Sequence, residues 1–95
     1  MEFKSLEFRL HAVERMLERG VSTEDVRHVI ESGKVIEDYP NDKPFPSCLV
    51  MGYVNQKPMH VVVATDKDTN RAIIVTVYEP DPSQWESGFE RRKRK

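Results

Sequence analysis

Cysteine, glycine, tryptophan and long apolar runs are all scarce in this sequence. Its 95 residues include one cysteine, Cys48, which excludes an intramolecular disulfide bond and any zinc site built from several cysteines. No apolar run approaches the roughly 20 residues that a membrane-spanning helix needs, and the charged start Met-Glu-Phe-Lys is not that of a signal peptide. We therefore expect a cytoplasmic protein with no membrane partner.

Standard catalytic motifs are missing as well. The sequence has no P-loop, no dinucleotide-binding fingerprint, no His-Glu-x-x-His and no nucleophile elbow. His11, His60 and Cys48 are candidate zinc ligands, but no two of them have the local spacing of a zinc site. We predict that the protein binds neither a metal nor a cofactor.

Charge is plentiful but unevenly distributed. The net charge of the whole chain is −1, and the five basic residues at 91–95 contribute +5. Residues 1–90 therefore carry a net charge of −6. A basic surface is the usual footprint of a nucleic-acid-binding protein, and here only the tail has one. This balance disfavours a protein that coats RNA or DNA, although an enzyme that contacts a few phosphates remains compatible with it. We expect one domain over residues 1–90 and a disordered basic tail at 91–95.

The first helix is predicted over residues 5–19. Ser5 is its expected N-cap, and Gly20 lies where a left-handed residue ends a helix. The apolar residues recur at helical spacing and predict a buried stripe. That stripe consists of Leu6, Leu10, Val13 and Leu17.

Another face of this helix carries His11, Arg15 and Arg19, which recur at every fourth residue. Glutamates surround these residues and can pair with the arginines. The row is therefore either a solvated face with weak ion pairs or part of a functional site.

A second helix and four strands complete the predicted fold. Ser22 and Asp25 have the spacing of a capping box, and Gly33 ends the second helix. Strands are predicted at residues 34–39, 48–54, 58–65 and 72–78. The result is an α+β domain, in the order ααββββ, whose two N-terminal helices pack on a four-stranded antiparallel sheet.

Three polar side chains interrupt the last two strands, which are otherwise almost entirely apolar. In an antiparallel pair the start of one strand lies beside the end of the other, so His60, Thr76 and Tyr78 are expected at one rim of the sheet. Histidine, arginine and tyrosine without a metal motif suit RNA cleavage by attack of a 2′-hydroxyl on the neighbouring phosphate. Such cleavage needs proton-transfer groups and a cation near the phosphate.

A family resemblance extends this interpretation. The run from His11 to Gly20, His-Ala-Val-Glu-Arg-Met-Leu-Glu-Arg-Gly, resembles the opening of the bacterial family called domain of unknown function 4258. Its pattern continues in Val35-Ile-Glu-Asp-Tyr-Pro, Met59-His-Val-Val-Val and Ile74-Val-Thr-Val-Tyr-Glu-Pro-Asp, followed by Trp85. That family is similar to RelE/BrnT-type toxins, which implies a RelE/barnase-like fold.

By this resemblance, the protein is a metal-independent endoribonuclease that acts on mRNA, at the ribosome in some relatives, and is neutralised by a cognate antitoxin. The implied catalytic residues are His11, Arg15, His60 and Tyr78, and the implied substrate-binding residues are Arg19 and Thr76. The alternative is a non-catalytic binding or interaction module that retains the toxin-like fold. Convergence of the four catalytic candidates in one pocket would favour the enzyme.

Overall fold

A computed structural model describes residues 3–94 as one five-stranded sheet with two helices on one of its faces. The elements in chain order are β1 (Ser5–Phe8), α1 (Leu10–Arg19), α2 (Thr23–Ser32), β2 (Lys34–Tyr39), β3 (Ser47–Val54), β4 (Lys57–Asp66) and β5 (Arg71–Tyr78). The strand order across the sheet is β1-β5-β4-β3-β2. The predicted α+β fold with two helices is confirmed, whereas the predicted number of strands is wrong.

The first strand corrects the prediction of a purely antiparallel sheet. Ser5–Phe8 pairs in parallel with β5, with Leu6 opposite Ala72 and Phe8 opposite Ile74, so the sheet is mixed. Leu6 and Phe8 alternate onto the face that the helices cover and pack against the core. In a segment this short, the positions of Leu6 and Phe8 fit the alternation of a strand as well as the spacing of a helix, so the local pattern does not distinguish the two.

The start and the buried face of α1 also differ from the prediction. The helix begins at Leu10 with Arg9 as its N-cap, so Ser5 caps nothing, and the buried side chains are Ala12 and Met16. Leu10 and Leu17 are 74% and 78% exposed. The turn out of β1 is joined to β5 by a hydrogen bond from the Arg9 N–H to the Ile74 carbonyl at 3.0 Å.

The connection between the helices follows the sequence closely. Gly20 adopts a left-handed φ of 66° and ends α1. The Asp25 N–H donates to Ser22 Oγ at 3.0 Å, and the Ser22 N–H donates to Asp25 Oδ2 at 2.9 Å. The predicted capping box of α2 is therefore confirmed. Within residues 3–94, neither helix is long and apolar enough to cross a membrane.

The sheet buries apolar side chains on both faces. On the helix-covered face, Val61, Val63 and Val77 pack with Ala12 and Met16 of α1. The opposite face, called the second face below, includes the alternate residues of the same strands. Its buried members include Leu49, Met51, His60, Ala64, Ile73 and the covering Trp85. The main group of interacting polar side chains lies on this second face.

Candidate functional site

A β-bulge in the edge strand β2 brings a carboxylate to the second face. Val35 pairs with Val50, but Glu37 pairs with Leu49, so Ile36 is the extra residue. Without it, Glu37 would share the face of Val35 and point toward the helices. Bulges of this kind re-aim side chains, and here the result is that Glu37 joins polar groups from β4 and β5.

His60 lies at the centre of those groups and is 0% exposed. Its Nε2–H donates to the Phe89 carbonyl at 2.8 Å, since a carbonyl only accepts. Nδ1 is then the acceptor of the neutral ring, and the Tyr78 hydroxyl donates to it at 3.1 Å. Burial lowers the pKa of His60 below its ordinary value of 6.5 and raises the pKa of Tyr78 above 10.0. Both groups are therefore neutral near pH 7.

A second set of groups surrounds Glu37. The Arg92 guanidinium donates to the two carboxylate oxygens of Glu37 at 2.9 and 3.2 Å, and the Tyr39 hydroxyl donates to the same carboxylate. The hydrogen bond from Arg92 lowers the pKa of Glu37. Burial, followed by the hydrogen bond to Glu37, raises the pKa of Tyr39 to about 12. Glu37 is thus ionised and Tyr39 protonated at neutral pH.

Trp85 joins the two sets. Its ring meets the His60 ring edge-on at a centroid distance of 4.5 Å, and the Arg92 guanidinium lies 4.6 Å from its centroid. We call Glu37, Tyr39, His60, Tyr78 and Arg92, arranged around Trp85, the polar cluster. The charges of Glu37 and Arg92 also influence the pKa values of His60 and Tyr78, so these titratable groups act on one another.

The C-terminal segment closes over this cluster. The Glu86 N–H donates to the Arg91 carbonyl at 2.8 Å, the Lys93 N–H donates to the Gln84 carbonyl at 2.8 Å, and Arg92 forms a β-bridge with Trp85. The prediction of a disordered tail at 91–95 did not anticipate these contacts, and position 95 lies outside the described residues. The segment forms one side of a groove of about 560 Å³ that is lined by Ser83, Gln84, Arg92, Lys93 and Arg94.

The sequence-predicted site residues fall into separate groups. His60 and Tyr78 are directly paired across β4 and β5, and Thr76 follows on the same face opposite Val62. His11 and Arg15 are exposed on α1, which lies on the other side of the sheet. The four catalytic candidates therefore do not converge in one pocket.

Arg19 lies at a third location, the C-terminal end of α1. It pairs with Glu79 at 3.8 Å and lines a cavity of about 300 Å³ between α1 and the turn that joins β3 to β4. Its neighbours there include Glu18, Asn55 and Lys57. This cavity is separate from the polar cluster.

Glu37, Tyr39 and Arg92 are site residues that the sequence pattern did not reveal. Glu37 and Tyr39 alternate along a charged strand, a pattern that also describes an ordinary solvated edge. Arg92 stands within a run of five basic residues, which gives no reason to single it out. Across residues 3–94, no three His, Cys, Asp or Glu side chains are grouped in a way that could hold a metal ion.

The burial of His60 has a consequence for pH stability. The unfolded chain takes up a proton on this histidine near pH 6.5, whereas the lowered pKa means that the folded chain does so only at lower pH. The free energy of unfolding should therefore be unaffected by His60 above about pH 6.5 and should fall as the pH drops below it. We expect urea denaturation between pH 7 and 5 to show this slope in the wild type.

The His60→Gln variant should be less stable overall and should lack that slope, since glutamine does not titrate. His28→Gln, which replaces an exposed histidine on α2, is the matched control and should keep it. An unchanged slope in the His60 variant would show that the buried ring does not govern the acid response.

Comparisons with known proteins give one match. A family profile described as Domain of unknown function (DUF4258) matches residues 8–79. The matched segment runs from the end of β1 to the residue after β5, so it includes both helices and the other four strands. No curated protein and no solved structure matches the chain.

Proposed function

This chain belongs to the DUF4258 family, and we propose that it is a metal-independent endoribonuclease that cleaves RNA at the polar cluster. Kinship with RelE/BrnT-type toxins is part of the same proposal. One observation carries it: interacting proton-transfer groups and an arginine lie on the sheet face without helices, beside a groove lined by cations.

The proposed role of Arg92 is to bind the phosphate at which the RNA is cleaved. Its side chain is 55% exposed while that of Glu37 is 26% exposed, so the guanidinium is accessible from the groove. A guanidinium binds phosphate through two parallel hydrogen bonds, as it now binds Glu37. Lys93 and Arg94 line the same groove and add positive charge for neighbouring phosphates. An RNA phosphate can therefore replace Glu37 as the partner of Arg92.

That exchange frees Glu37 to act as a base. Without the hydrogen bond from Arg92, the pKa of Glu37 rises toward its ordinary value, and the carboxylate becomes a better proton acceptor. Glu37 takes the proton of the 2′-hydroxyl, whose oxygen attacks phosphorus as the bond to the 5′-oxygen breaks.

Tyr39 is assigned as the acid. Its hydroxyl protonates the leaving 5′-oxygen, and Glu37 then returns the captured proton to Tyr39 through the hydrogen bond that already joins them. The products are a 2′,3′-cyclic phosphate and a 5′-hydroxyl, and no other reactant is consumed. His60 and Tyr78 are positioning residues, because the buried His60 ring supports Trp85, on which Arg92 stacks.

A non-catalytic binding module is the second candidate function. It is favoured by the pairing of both His60 nitrogens and by the closed contact between Glu37 and Arg92. In that case the groove binds phosphates without cleaving RNA. For either function, an antitoxin-like protein remains the proposed partner, and the exposed leucines of α1 support a protein contact.

The test is incubation of the purified protein with single-stranded RNA in EDTA, with and without ribosomes. We expect products that end in 2′,3′-cyclic phosphate and 5′-hydroxyl, and no cleavage where a 2′-deoxy nucleotide replaces the attacking one. Loss of cleavage on chelation, or cleavage at the deoxy position, would rule out the proposed chemistry. Binding of RNA without any cleavage would establish the binding module instead.

A further inference from the structure

A second concave site lies on the same face as the polar cluster. It is a pocket of about 210 Å³ between the irregular loop at residues 40–46 and strands β4 and β5. Its walls are mainly apolar side chains, which are those of Pro44, Phe45, Val62, Ala64, Ile73 and Val75. Polar groups at the pocket come from Arg9, Asp42, Lys43 and Ser47.

Hydrogen bonds hold the loop over this pocket. The Thr65 N–H donates to the Pro46 carbonyl at 3.0 Å, and the Asp42 N–H donates to the Tyr39 carbonyl at 3.2 Å. The Ser47 hydroxyl donates to the Asp42 carboxylate. Three prolines within residues 40–46 stiffen the segment further. The pocket is thus formed before any ligand arrives, which lowers the entropic cost of binding.

A bulge in β5 opens the floor of the pocket. Val62 pairs with Thr76 and Val63 pairs with Ile74, so Val75 is the extra residue. Val75 is 37% exposed although apolar neighbours surround it. Val75, which follows Ile74, lies on the second face by the normal alternation of a strand, and the extra residue places Thr76 on that face as well. The bulge therefore leaves an apolar surface accessible beside the site.

Charge and size indicate the ligand class. Arg9 and Lys43 contribute two positive charges, and the single carboxylate, Asp42, is already bonded to Ser47. The ion pair of Arg9 with Glu7 is exposed and long, at 3.9 Å, so it competes weakly. Apolar walls of this volume fit one planar ring system, since cavities of about 150 Å³ hold benzene. The complementary ligand is a flat ring that carries an anion.

The position of the pocket connects it to the polar cluster. Val62 in its floor lies two residues from His60 along β4, about 7 Å at the usual rise of a strand. The loop at residues 40–46 follows directly on Tyr39, whose hydroxyl contacts Glu37. A chain that places one phosphate at Arg92 can therefore reach the pocket with its next nucleotide.

We propose that this pocket binds the base of an RNA nucleotide next to the phosphate held by Arg92, with Arg9 and Lys43 contacting the phosphate of that nucleotide. The inference rests on the proposed function and extends it from the reacting phosphate to base binding. Its basis is the combination of an apolar slot and two cations on the face that carries the polar cluster.

Binding to an uncleavable RNA tests the inference apart from catalysis. A short single-stranded 2′-O-methyl RNA should shift the methyl NMR signals of Val62 and Val75 in a saturable way, and inorganic phosphate should not. Val75→Asp should weaken this binding about tenfold, because a carboxylate would replace an apolar wall and repel phosphate. Val35→Asp is the matched control, since Val35 is 40% exposed and lies outside the pocket on β2.

Lys43→Glu, at the surface of the loop, provides a second variant that leaves the core untouched and should also weaken binding. The inference is overturned if the RNA does not bind, if the shifts lie only elsewhere, or if Val75→Asp and Val35→Asp bind equally. If wild type and Val75→Asp cleave unmodified RNA at the same rate, the pocket does not bind the substrate, and the proposed ribonuclease activity stands. If RNA binds at the pocket but is not cleaved, the pocket is a binding site and the proposed ribonuclease activity is wrong.

Discussion

Replacing Arg92 by glutamine is expected to reduce RNA cleavage at least about 100-fold. The reason is that Arg92 is assigned to the phosphate in the transition state, where loss of a charged donor has its largest effect. Its ion pair with Glu37 is partly exposed, so the variant should remain folded. The measurement is the initial rate of cleavage of a fluorescent RNA in EDTA, with thermal unfolding recorded for each protein.

Arg27→Gln is the control for that experiment. Arg27 also pairs with a glutamate, Glu31 at 3.8 Å, but it lies on α2 on the other side of the sheet. We expect its cleavage rate to stay within about twofold of the wild type, because Arg27 is remote from the polar cluster and an exposed ion pair contributes little to stability. Equal cleavage rates in the two arginine variants would show that Arg92 takes no part in cleavage.

The Gly33→Ala substitution should have the largest effect on stability. A Cβ atom at this position would lie 2.3 Å from the Val29 carbonyl oxygen and 2.6 Å from the Met51 carbonyl oxygen. Both are backbone atoms, so relief requires α2 and β3 to move apart. Overpacking of this kind typically costs about 1–3 kcal/mol, and we expect about 3 kcal/mol or more here.

Gly20→Ala separates crowding from backbone conformation. Gly20 has a left-handed φ of 66°, but a Cβ atom at this position would meet no other atom within 4 Å, so its substitution should cost only about 1 kcal/mol.

Cys48 offers a readout besides urea denaturation. It is buried, and burial raises its thiol pKa to about 11, so alkylation reports transient unfolding. A Gly33→Ala protein as protected as Gly20→Ala would contradict the close contact.

Local signals made much of the fold predictable. The capping box at Ser22 and Asp25 and the left-handed Gly20 depend on neighbouring residues, so the sequence shows them directly. The pairing of His60 with Tyr78 follows from the connectivity of two adjacent strands. Nearby residues determine each of these features, and that is why the helical connection and the last hairpin were predicted correctly.

Features that depend on distant partners were not predictable in the same way. Ser5–Phe8 becomes a strand because β5, which is far along the chain, offers it an edge. The bulge at Ile36 that brings Glu37 to the second face is set by the register with β3. Arg92 enters the polar cluster through its bridge to Trp85. None of these three contacts can be recognised from the pattern of neighbouring residues in the sequence.

The most direct test compares the two sides of the sheet in one cleavage assay. Glu37→Gln removes the proposed base on the second face, and the double variant His11→Gln, Arg15→Gln removes the exposed polar row of α1. With RNA in EDTA, we predict at least about 100-fold loss of cleavage for Glu37→Gln and less than about threefold loss for the double variant. Loss of cleavage in the double variant, with Glu37→Gln fully active, would contradict the assignment of the site to the polar cluster.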